Sequence, residues 1–407
     1  MEKSKEATLR YLEYFRNSIV PRTLSSREFE VLIKKIEGLQ LTQTERNYLS
    51  RSIRKKLAGA RIMAMLDVDR LIGGRAQQIL FLPRLIIEED RKISPLIEER
   101  IISKLYHSKK IAIITGAGIS TASGIRTFRG KDGMWDEIDP LKYFSSESLK
   151  KNKKETIRLL EELRQALKDK SPNPAHTALA LMGQLFDAFS IITQNIDGLH
   201  RKAGNSKILE LHGNIFGKRK TGIPAVTLFN EEIDSGLYKQ AYNLCQDADI
   251  IISCGTSAYF PYIRELIENS HAFKIEINPE RTEISSLFEI SLREKAEEIL
   301  PLLYNKLLTE KLIAEFRKIK LENIDLIYLF GSITKRKKIP NDVDVAVICQ
   351  KQAKTDRIRE IIRKFTPLKA NITIYDKKGF YTRIDSIKKD IVENGILLYR
   401  GKDYATM

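Results

Sequence analysis

Four polar side chains end an apolar run in IITQNIDGLH, residues 191–200: Gln194, Asn195, Asp197 and His200. A strand that only filled a core would not need so many polar groups at one end. Open α/β sheets hold their ligands at the carboxyl ends of parallel strands. The spacing therefore predicts a substrate site at the end of a buried strand.

A glycine-rich turn follows another apolar run in KKIAIITGAGIS, residues 109–120. Gly116 and Gly118 come directly after a predicted strand, so backbone amides could approach a pyrophosphate near the start of a helix. Thr121 stands where the strict dinucleotide fingerprint has its third glycine. The turn alone therefore favours an ordinary tight strand–helix connection over a dinucleotide site.

Alternating strands and helices must position these groups. Further strands are predicted in AFSIITQN (188–195), ADIIISCGTS (248–257) and FKIEINP (273–279). Helical patterns at 154–168 and 175–185 separate them. This alternation predicts an α/β fold, a Rossmann-like doubly wound parallel sheet.

Five motifs occur in the order and approximate spacing of the sirtuins: GAGISTASGIRTFRG (116–130), TQNIDGLH (193–200), LHGN (211–214), CGTS (254–257) and IEIN (275–278). The chain from about 94 to about 305 therefore resembles that family. The resemblance implies a domain that binds NAD and breaks its nicotinamide–ribose bond. Because the leaving group is already a cationic pyridinium, the enzyme has to orient the ribose, bind the carboxamide and stabilise an oxocarbenium-like centre.

The resemblance also implies roles for individual residues. Asn195 would place the acceptor or a water, Asp197 would contact the nicotinamide amide, and His212 would be the general base on a ribose hydroxyl. The implied cofactor-binding positions are Gly116, Ala117, Gly118, Ser120, Thr127, Arg129, Gln194, Gly255, Thr256, Ser257 and Asn278. Four histidines match no catalytic position and are expected to be structural: His107, His176, His200 and His271.

Two features depart from the family pattern. Family deacylases usually carry four zinc cysteines after the histidine motif, whereas residues 215–245 hold only Cys245, so no zinc is expected. The short insert predicts that the small domain shaping an acyl-peptide cleft is missing or rebuilt. The branch that removes acidic acyl groups needs a Tyr and an Arg three apart on the following helix. Only Arg158 and Glu161 occur there, so that specificity is not expected.

A second constellation lies in FGSITKRKKIPNDVDVAV, residues 330–347. Gly331 and Ser332 form a turn suited to a triphosphate, and Asp342 and Asp344 would point together from one strand face at a divalent metal. The spacing resembles the minimal nucleotidyltransferases of the polymerase beta superfamily. It implies a small α+β domain binding Mg²⁺ with a nucleoside triphosphate, although a solvated Asp-x-Asp edge would give the same pattern.

The nucleotidyltransferase-like site lacks one expected carboxylate. The position that would supply it from a later strand, ANITIYD, is Asn371, and Asp376 comes too late to replace it. A Lys/Arg-rich loop at 335–338 also replaces the Ala-Arg-Gly that commonly follows the glycine–serine pair. Metal–nucleotide binding without turnover is therefore an open alternative to transfer.

The 407 residues divide by pattern into a basic helical region (1–90), a sirtuin-like domain (91–308) and a nucleotidyltransferase-like domain (309–407). The net charge of +17 favours nucleic acid, nucleotide phosphates or an acidic partner, or else a charged solvated surface. Basic residues of the N-terminal region could line a phosphate-binding face: Arg51, Arg54, Lys55, Lys56 and Arg61.

The apolar runs and the cysteines of the chain indicate in which cell compartment the protein is expected. No apolar run approaches the length of a membrane helix, and the N-terminus lacks a signal-peptide core, so a cytoplasmic protein without membrane contact is expected. The other cysteines, Cys254 and Cys349, are too scattered for a disulfide framework. A homo-oligomer is left open.

Together these features predict an NAD-consuming enzyme. Hydrolysis or ADP-ribosyl transfer is favoured over peptide deacylation because the NAD-cleaving motifs are intact and the zinc cysteines are missing. Zinc-free protein deacylation is the first alternative, and a non-enzymatic NAD or ADP-ribose sensor bound to nucleic acid is the second. The fusion of the two domains suggests, by analogy, a defence or toxin–antitoxin module.

Overall fold

The computed structural model of the chain describes these residues: 42–48, 95–127, 139–220, 222–334, 338–349, 353–376, 380 and 386–401. It divides into two units, residues 1–101 and 102–407. In the first unit a short helix, α1 (Gln43–Tyr48), has Thr42 as its N-cap, since the Glu45 N–H donates to the Thr42 hydroxyl at 3.2 Å. The predicted basic face of this region lies outside the described residues.

The second unit contains a six-stranded parallel sheet in the order β3-β2-β1-β6-β7-β8. Its strands are β1 (Lys110–Thr115), β2 (Ala188–Thr193), β3 (Ile208–Glu210), β6 (Ile250–Cys254), β7 (Phe273–Ile277) and β8 (Ile290–Leu292). Isoleucine-rich runs form the central strands because both faces of a parallel sheet are buried. The winding reverses at β1, between β2 and β6, and such a switch point opens a crevice at the carboxyl ends of the strands.

Helices alternate with these strands along the chain, and the predicted doubly wound fold is confirmed. They are α2 (Pro95–His107), α3 (Pro140–Tyr143), α4 (Ser146–Lys151), α5 (Lys153–Lys168), α6 (Pro174–Met182), α7 (Leu199–Lys202), α8 (Ser235–Asp247) and α9 (Pro261–Glu268). A 3₁₀ helix, Ala117–Ser123, follows β1. On one face Ile114 and Ile192 pack against Ile263 and Leu266 of α9, all fully buried.

A small module is present where the family usually places its zinc cysteines. It is an antiparallel hairpin of β4 (Gly213–Lys218) and β5 (Pro224–Val226), packed on an apolar cluster with α5. Arg219 donates to both carboxylate oxygens of Glu231, at 3.0 and 2.6 Å, and also to the Val226 carbonyl. The module is therefore rebuilt around an ion pair and an apolar core.

One long helix, α10 (Ala296–Phe316), joins the sheet to the C-terminal domain. The sequence pattern predicts one helix near 292–308 and a second at 309–320. No breaker separates the two ranges, and buried leucines continue along the whole length of the single helix that forms. The predicted boundary at 308–309 falls inside this helix. Near its middle the Asn305 amide donates to the Lys338 carbonyl at 2.9 Å, which ties the helix to the loop after the glycine–serine turn.

The C-terminal domain is the predicted small α+β unit, with a four-stranded sheet in the order β11-β10-β9-β12. Its elements are β9 (Ile324–Phe330), β10 (Asp342–Cys349), α11 (Asp356–Phe365), β11 (Lys369–Asp376), α12 (Ser386–Asn394) and β12 (Ile396–Arg400). β10 and β11 are parallel, and the other neighbours are antiparallel. Within the described part of the chain, no helix is long and apolar enough to cross a membrane.

Candidate active site

Two loops meet at the carboxyl ends of β1 and β6, where glycines allow their close approach. The Gly116 N–H donates to the Cys254 carbonyl at 3.2 Å, and the Gly118 N–H to the Gly255 carbonyl at 2.8 Å. A Cβ atom at Gly116 would lie 2.8 Å from Thr256. Gly255 has a φ of 59°, in the left-handed region that favours glycine. The glycines are therefore needed to pack these loops at the mouth of the crevice.

Three predicted site residues form one buried hydrogen-bond network. The Asn195 side-chain amide donates to the Gly116 carbonyl at 3.0 Å and to the Ser120 hydroxyl at 3.2 Å. The Ser120 hydroxyl donates to Asp197 at 2.7 Å, and the Leu199 N–H donates to the other Asp197 oxygen at 2.9 Å. Burial raises the pKa of Asp197, partly offset by these two bonds. The network joins the ends of β1 and β2.

A second group of predicted positions joins the ends of β2, β6 and β7. The Gln194 amide donates to the Thr256 hydroxyl at 2.8 Å, and the Asn278 amide donates to the Thr256 carbonyl at 2.9 Å. Of three more predicted positions, Ala117 begins the 3₁₀ helix after β1, and Thr127 and Ser257 lie in described loops. Arg129 lies outside the described residues.

His212 lies directly before β4 and contacts aromatic side chains. Its Nε2 atom is 2.7 Å from the Tyr262 hydroxyl, and its ring centroid is 5.7 Å from that of Phe260. Burial lowers the pKa of His212 to about 4, so the imidazole is neutral near pH 7 and can accept a proton. Sequence reasoning did not identify Tyr262, because it belongs to none of the five motifs.

Two further histidines, expected to be structural, lie buried next to this network. The His200 Nε2 atom is 3.0 Å from the Thr115 hydroxyl, and the rings of His176 and His200 are 4.8 Å apart. Burial lowers the pKa of His176 to about 4 and that of His200 to about 3. Both imidazoles are therefore neutral at physiological pH.

A cleft of about 680 Å³ lies beside Asp197. The end of α5, the loop at Gly198 and strand β4, with Asn214 and Phe216, form its walls. Cationic side chains also line it, and one of them, Arg201, pairs with Glu210 at 3.1 Å. Asp197 therefore lies at the wall of this cleft, with the rest of the network behind it.

The two α5 residues considered for acidic acyl groups are engaged on the surface of that helix. Arg158 pairs with Glu155 at 2.7 Å and with Glu162, and Glu161 pairs with Arg164. These are i,i+3 and i,i+4 contacts of exposed side chains, typical of a solvated helix face.

In the C-terminal domain, Asn371 lies beside the predicted aspartates. Strand register places Asn371 opposite Asp344, and its amide nitrogen is 2.5 Å from an Asp342 oxygen and 3.4 Å from an Asp344 oxygen. Asp376 lies at the far end of β11, opposite Cys349. The amide therefore occupies the corner where the nucleotidyltransferase pattern requires a third acid.

The glycine–serine turn also lies against these aspartates. Gly331 has a φ of 80°, and a Cβ atom there would collide with the Asp344 carboxylate. Burial raises the pKa of Asp344, and the negative charge of Asp342 adds to this effect. Within the described residues, no group of three His, Cys, Asp or Glu side chains could hold a metal ion. The predicted magnesium site is therefore not supported.

Comparison with known proteins identifies the family of the larger domain. The chain is 35% identical over 229 residues to an NAD-dependent protein deacylase of Aquifex aeolicus, covering 95% of that protein and 48% of this chain. It is 33% identical over 256 residues to an NAD-dependent protein deacylase of Pyrococcus furiosus, covering 98% of that protein and 54% of this chain. The chain belongs to the Sir2 family.

The Sir2 family model matches residues 116–221, which include the buried network and His212. A second model, described as polymerase beta, nucleotidyltransferase, matches residues 310–404. The predicted resemblances to both families are thereby confirmed, and sirtuins use NAD as cosubstrate. About half of this Sir2-family chain lies outside the part shared with these deacylases.

Solved structures of Sir2 proteins also match the chain. A Sir2 homologue in complex with NAD has a TM-score of 0.47 at 29% identity, covering 51% of this chain and 93% of the homologue. A structure titled for the mechanism and regulation of Sir2 enzymes has a TM-score of 0.47 at 30% identity, covering 52% of this chain and 97% of that one.

Proposed function

We propose that this Sir2-family chain breaks the nicotinamide–ribose bond of NAD at the network of Ser120, Asn195 and Asp197. The observation that carries the proposal is this buried network at the switch point of the sheet. The Asp197 carboxylate would accept a hydrogen bond from the nicotinamide amide, and Asn195 would orient the ribose. Because the pyridinium leaves as a neutral molecule, this step needs orientation and charge stabilisation rather than proton transfer.

His212 would act in the step that follows bond cleavage. With an acyl acceptor, the acyl oxygen would bond to the anomeric carbon in place of nicotinamide, and a ribose hydroxyl would then attack the acyl carbon. The neutral imidazole of His212 would take the proton that this hydroxyl loses. The low pKa of His212 keeps it unprotonated. Thr256 and Asn278 would hold the adenosine half of NAD at the ends of the neighbouring strands, and Gln194, which donates to the Thr256 hydroxyl, would contact the ribose.

We further propose that the acceptor is an acylated lysine, so that the net reaction is protein deacylation. The sequence favours hydrolysis or ADP-ribosyl transfer because the NAD-cleaving motifs are intact and the zinc cysteines are missing. The hairpin of β4 and β5, held by Arg219 and Glu231, supplies a wall for a peptide cleft. The name of the matching relatives, NAD-dependent protein deacylase, supports the same acceptor.

NAD hydrolysis or ADP-ribosyl transfer is the second candidate. The cleft of about 680 Å³ beside Asp197 favours it, since water or another nucleophile can reach the network through that opening. A sensor function without catalysis, a defence role, a cytoplasmic location, nucleic-acid binding and a homo-oligomer remain predictions from sequence.

For the C-terminal domain we propose nucleotide binding without nucleotidyl transfer. The turn of Gly331 and Ser332 would receive phosphate groups. Two carboxylates bridged by the Asn371 amide do not fit a two-metal site, because a hydrogen-bond donor stands between them in place of a third acid. The domain would then act on the Sir2 domain as a regulator.

Product analysis separates these functions. The full chain is incubated with NAD, with and without an acetylated peptide, and the products are identified by mass spectrometry. Peptide-dependent formation of O-acyl-ADP-ribose supports deacylation. Free ADP-ribose without peptide supports hydrolysis, modified protein supports transfer, and intact NAD in every reaction contradicts the proposed enzyme.

A further inference from the structure

The hydroxyl of Tyr262 is the closest polar partner of the His212 ring among the bonds described, at 2.7 Å from Nε2. The two residues are 50 positions apart in the chain. Tyr262 is the second residue of α9, and the steps described above do not use it. A general base held by a third group is a recurrent arrangement in enzymes, because the third group fixes the ring and its tautomer.

Packing holds the Tyr262 side chain in place. Pro261 occupies the first turn of α9, where its fixed φ suits a helix start. The Tyr262 ring stacks on Phe260 with centroids 5.5 Å apart and an interplanar angle of 18°, and meets Tyr238 edge-on at 6.5 Å. The ring also packs on the buried cluster beneath the sheet. A side chain with these contacts can orient a neighbour but cannot readily swing away.

The chemistry of His212 and Tyr262 determines which of them donates the hydrogen bond during catalysis. Burial raises the pKa of the Tyr262 hydroxyl, so it stays protonated and is not itself a base. If Nδ1 of His212 is to accept a proton, Nε2 must carry one, and that N–H then donates to the Tyr262 oxygen. When the ring becomes an imidazolium, both nitrogens are donors, and the bond to the hydroxyl becomes charge-assisted.

We propose that Tyr262 is a positioning residue for His212. Its hydroxyl accepts the Nε2–H, which fixes the ring and leaves the Nδ1 lone pair for the ribose hydroxyl. The bond then stabilises the imidazolium that forms. This inference rests on the proposed role of His212 as base and adds a residue that none of the family motifs supplies.

The test is Tyr262→Phe, which removes the hydroxyl and keeps the stacked ring. A lost hydrogen bond to a charged group lowers turnover by roughly tenfold to a hundredfold, and the KM for NAD should stay unchanged. Tyr238→Phe is the matched control, since the Tyr238 hydroxyl donates to Glu265 at 2.7 Å within the same aromatic cluster. It should keep wild-type turnover. Wild-type turnover in Tyr262→Phe would overturn the proposal.

Exchange of labelled nicotinamide into NAD, measured with acetylated peptide, separates positioning from a structural role. Cleavage and re-formation of the nicotinamide–ribose bond require no base, so Tyr262→Phe should exchange at the wild-type rate while forming product slowly. Equal losses in both rates would mean that Tyr262 only supports the fold, which contradicts the proposal.

Nitrogen-15 NMR of the histidine rings tests the hydrogen bond between His212 and Tyr262 without a measurement of enzyme activity. The wild type should hold His212 as the tautomer with its proton on Nε2, and Tyr262→Phe should lose that preference. A proton on Nδ1 in the wild type would overturn the inference. If the wild type releases no nicotinamide, the proposed function fails, and the NMR result still decides the role of Tyr262.

Discussion

The amide nitrogen of Asn371 lies 2.5 Å from a carboxylate oxygen of Asp342, on the neighbouring parallel strand. It also lies 3.4 Å from Asp344. A donor that links two aspartates lowers their mutual repulsion and occupies the space between them. The domain thus keeps a nucleotidyltransferase-like fold, but among the described residues it has no group of three acidic side chains that could hold a metal ion. The Asn371 amide explains this, because it stands where a third acid is expected.

Asn371→Asp should therefore create transfer activity rather than remove it. A third carboxylate beside Asp342 and Asp344 supplies the charge that two divalent metals need. Transfer from a labelled nucleoside triphosphate to the protein or to RNA should rise from slow or absent to measurable with Mg²⁺. Asp376→Asn is the control, because Asp376 lies at the other end of β11. Brisk transfer by the wild type would show that another acid completes the site.

The predicted gain should depend on the aspartates. Adding Asp342→Ala and Asp344→Ala to Asn371→Asp should abolish transfer, because one carboxylate cannot hold two metals. Transfer that persists in the triple variant would place the activity elsewhere in the chain.

Replacing His212 or Asn195 with alanine should lower NAD-dependent product formation by roughly two to four orders of magnitude, the range for a removed acid–base group. Thermal unfolding should change little for His212→Ala, because that side chain is only half-buried. His271→Ala is the control, since His271 is exposed and belongs to none of the five motifs. Near-wild-type rates in a folded His212→Ala protein would refute its assignment as the base.

The module of β4 and β5 should be stable in the presence of chelators. EDTA should leave the melting temperature and the NAD-dependent activity unchanged, because an ion pair holds β4 and β5. Glu231→Gln should lower the free energy of unfolding by about 1 kcal/mol, as expected for a half-exposed bidentate pair. Glu155→Gln, in an exposed pair on α5, should change it less. Stoichiometric zinc in the purified protein would contradict this account.

The same pair predicts a pH dependence. Burial acts to raise the pKa of Glu231, but the bonds from Arg219 and Leu228 outweigh it and hold the pKa below its ordinary value of 4.5. A depressed carboxylate pKa stabilises the fold above the unfolded-state value, and that contribution is lost as the pH falls through the folded-state pKa. The difference in unfolding free energy between the wild type and Glu231→Gln should therefore have its largest value at pH 7 and decrease below about pH 4. Denaturant unfolding at several pH values measures it, and a constant difference would contradict the ion pair.

Much of the site was predictable because it follows from short motifs at strand ends. Strand register alone brings Gln194, Asn195 and Asp197 to the crevice beside the glycine-rich turn. The parallel pairing of β10 with β11 likewise puts Asn371 opposite Asp344. In both cases a local pattern, combined with the rule that parallel strands end together, determines the neighbours.

Other features could not be read from the sequence, because they depend on long-range packing. Tyr262 meets His212 only because α9 begins at Pro261 and turns its first residues toward β4. The strand β5 has three residues, too few to give a periodic signal, so the rebuilt module was not foreseen in detail. Helix α10 is one helix although the sequence predicts two, because a change of domain at 308–309 predicts a chain break that the helix itself does not contain.

The most direct test of the central claim is the release of nicotinamide from NAD. Labelled NAD is incubated with the full chain and with the variants Asp197→Asn and Asn195→Ala. Circular dichroism first shows that each variant is folded like the wild type. Free nicotinamide is then measured over time, with and without an acetylated peptide. The account predicts release by the wild type that increases with the peptide and falls by at least about a hundredfold in Asn195→Ala. Wild-type protein that binds NAD but releases no nicotinamide under either condition would contradict it.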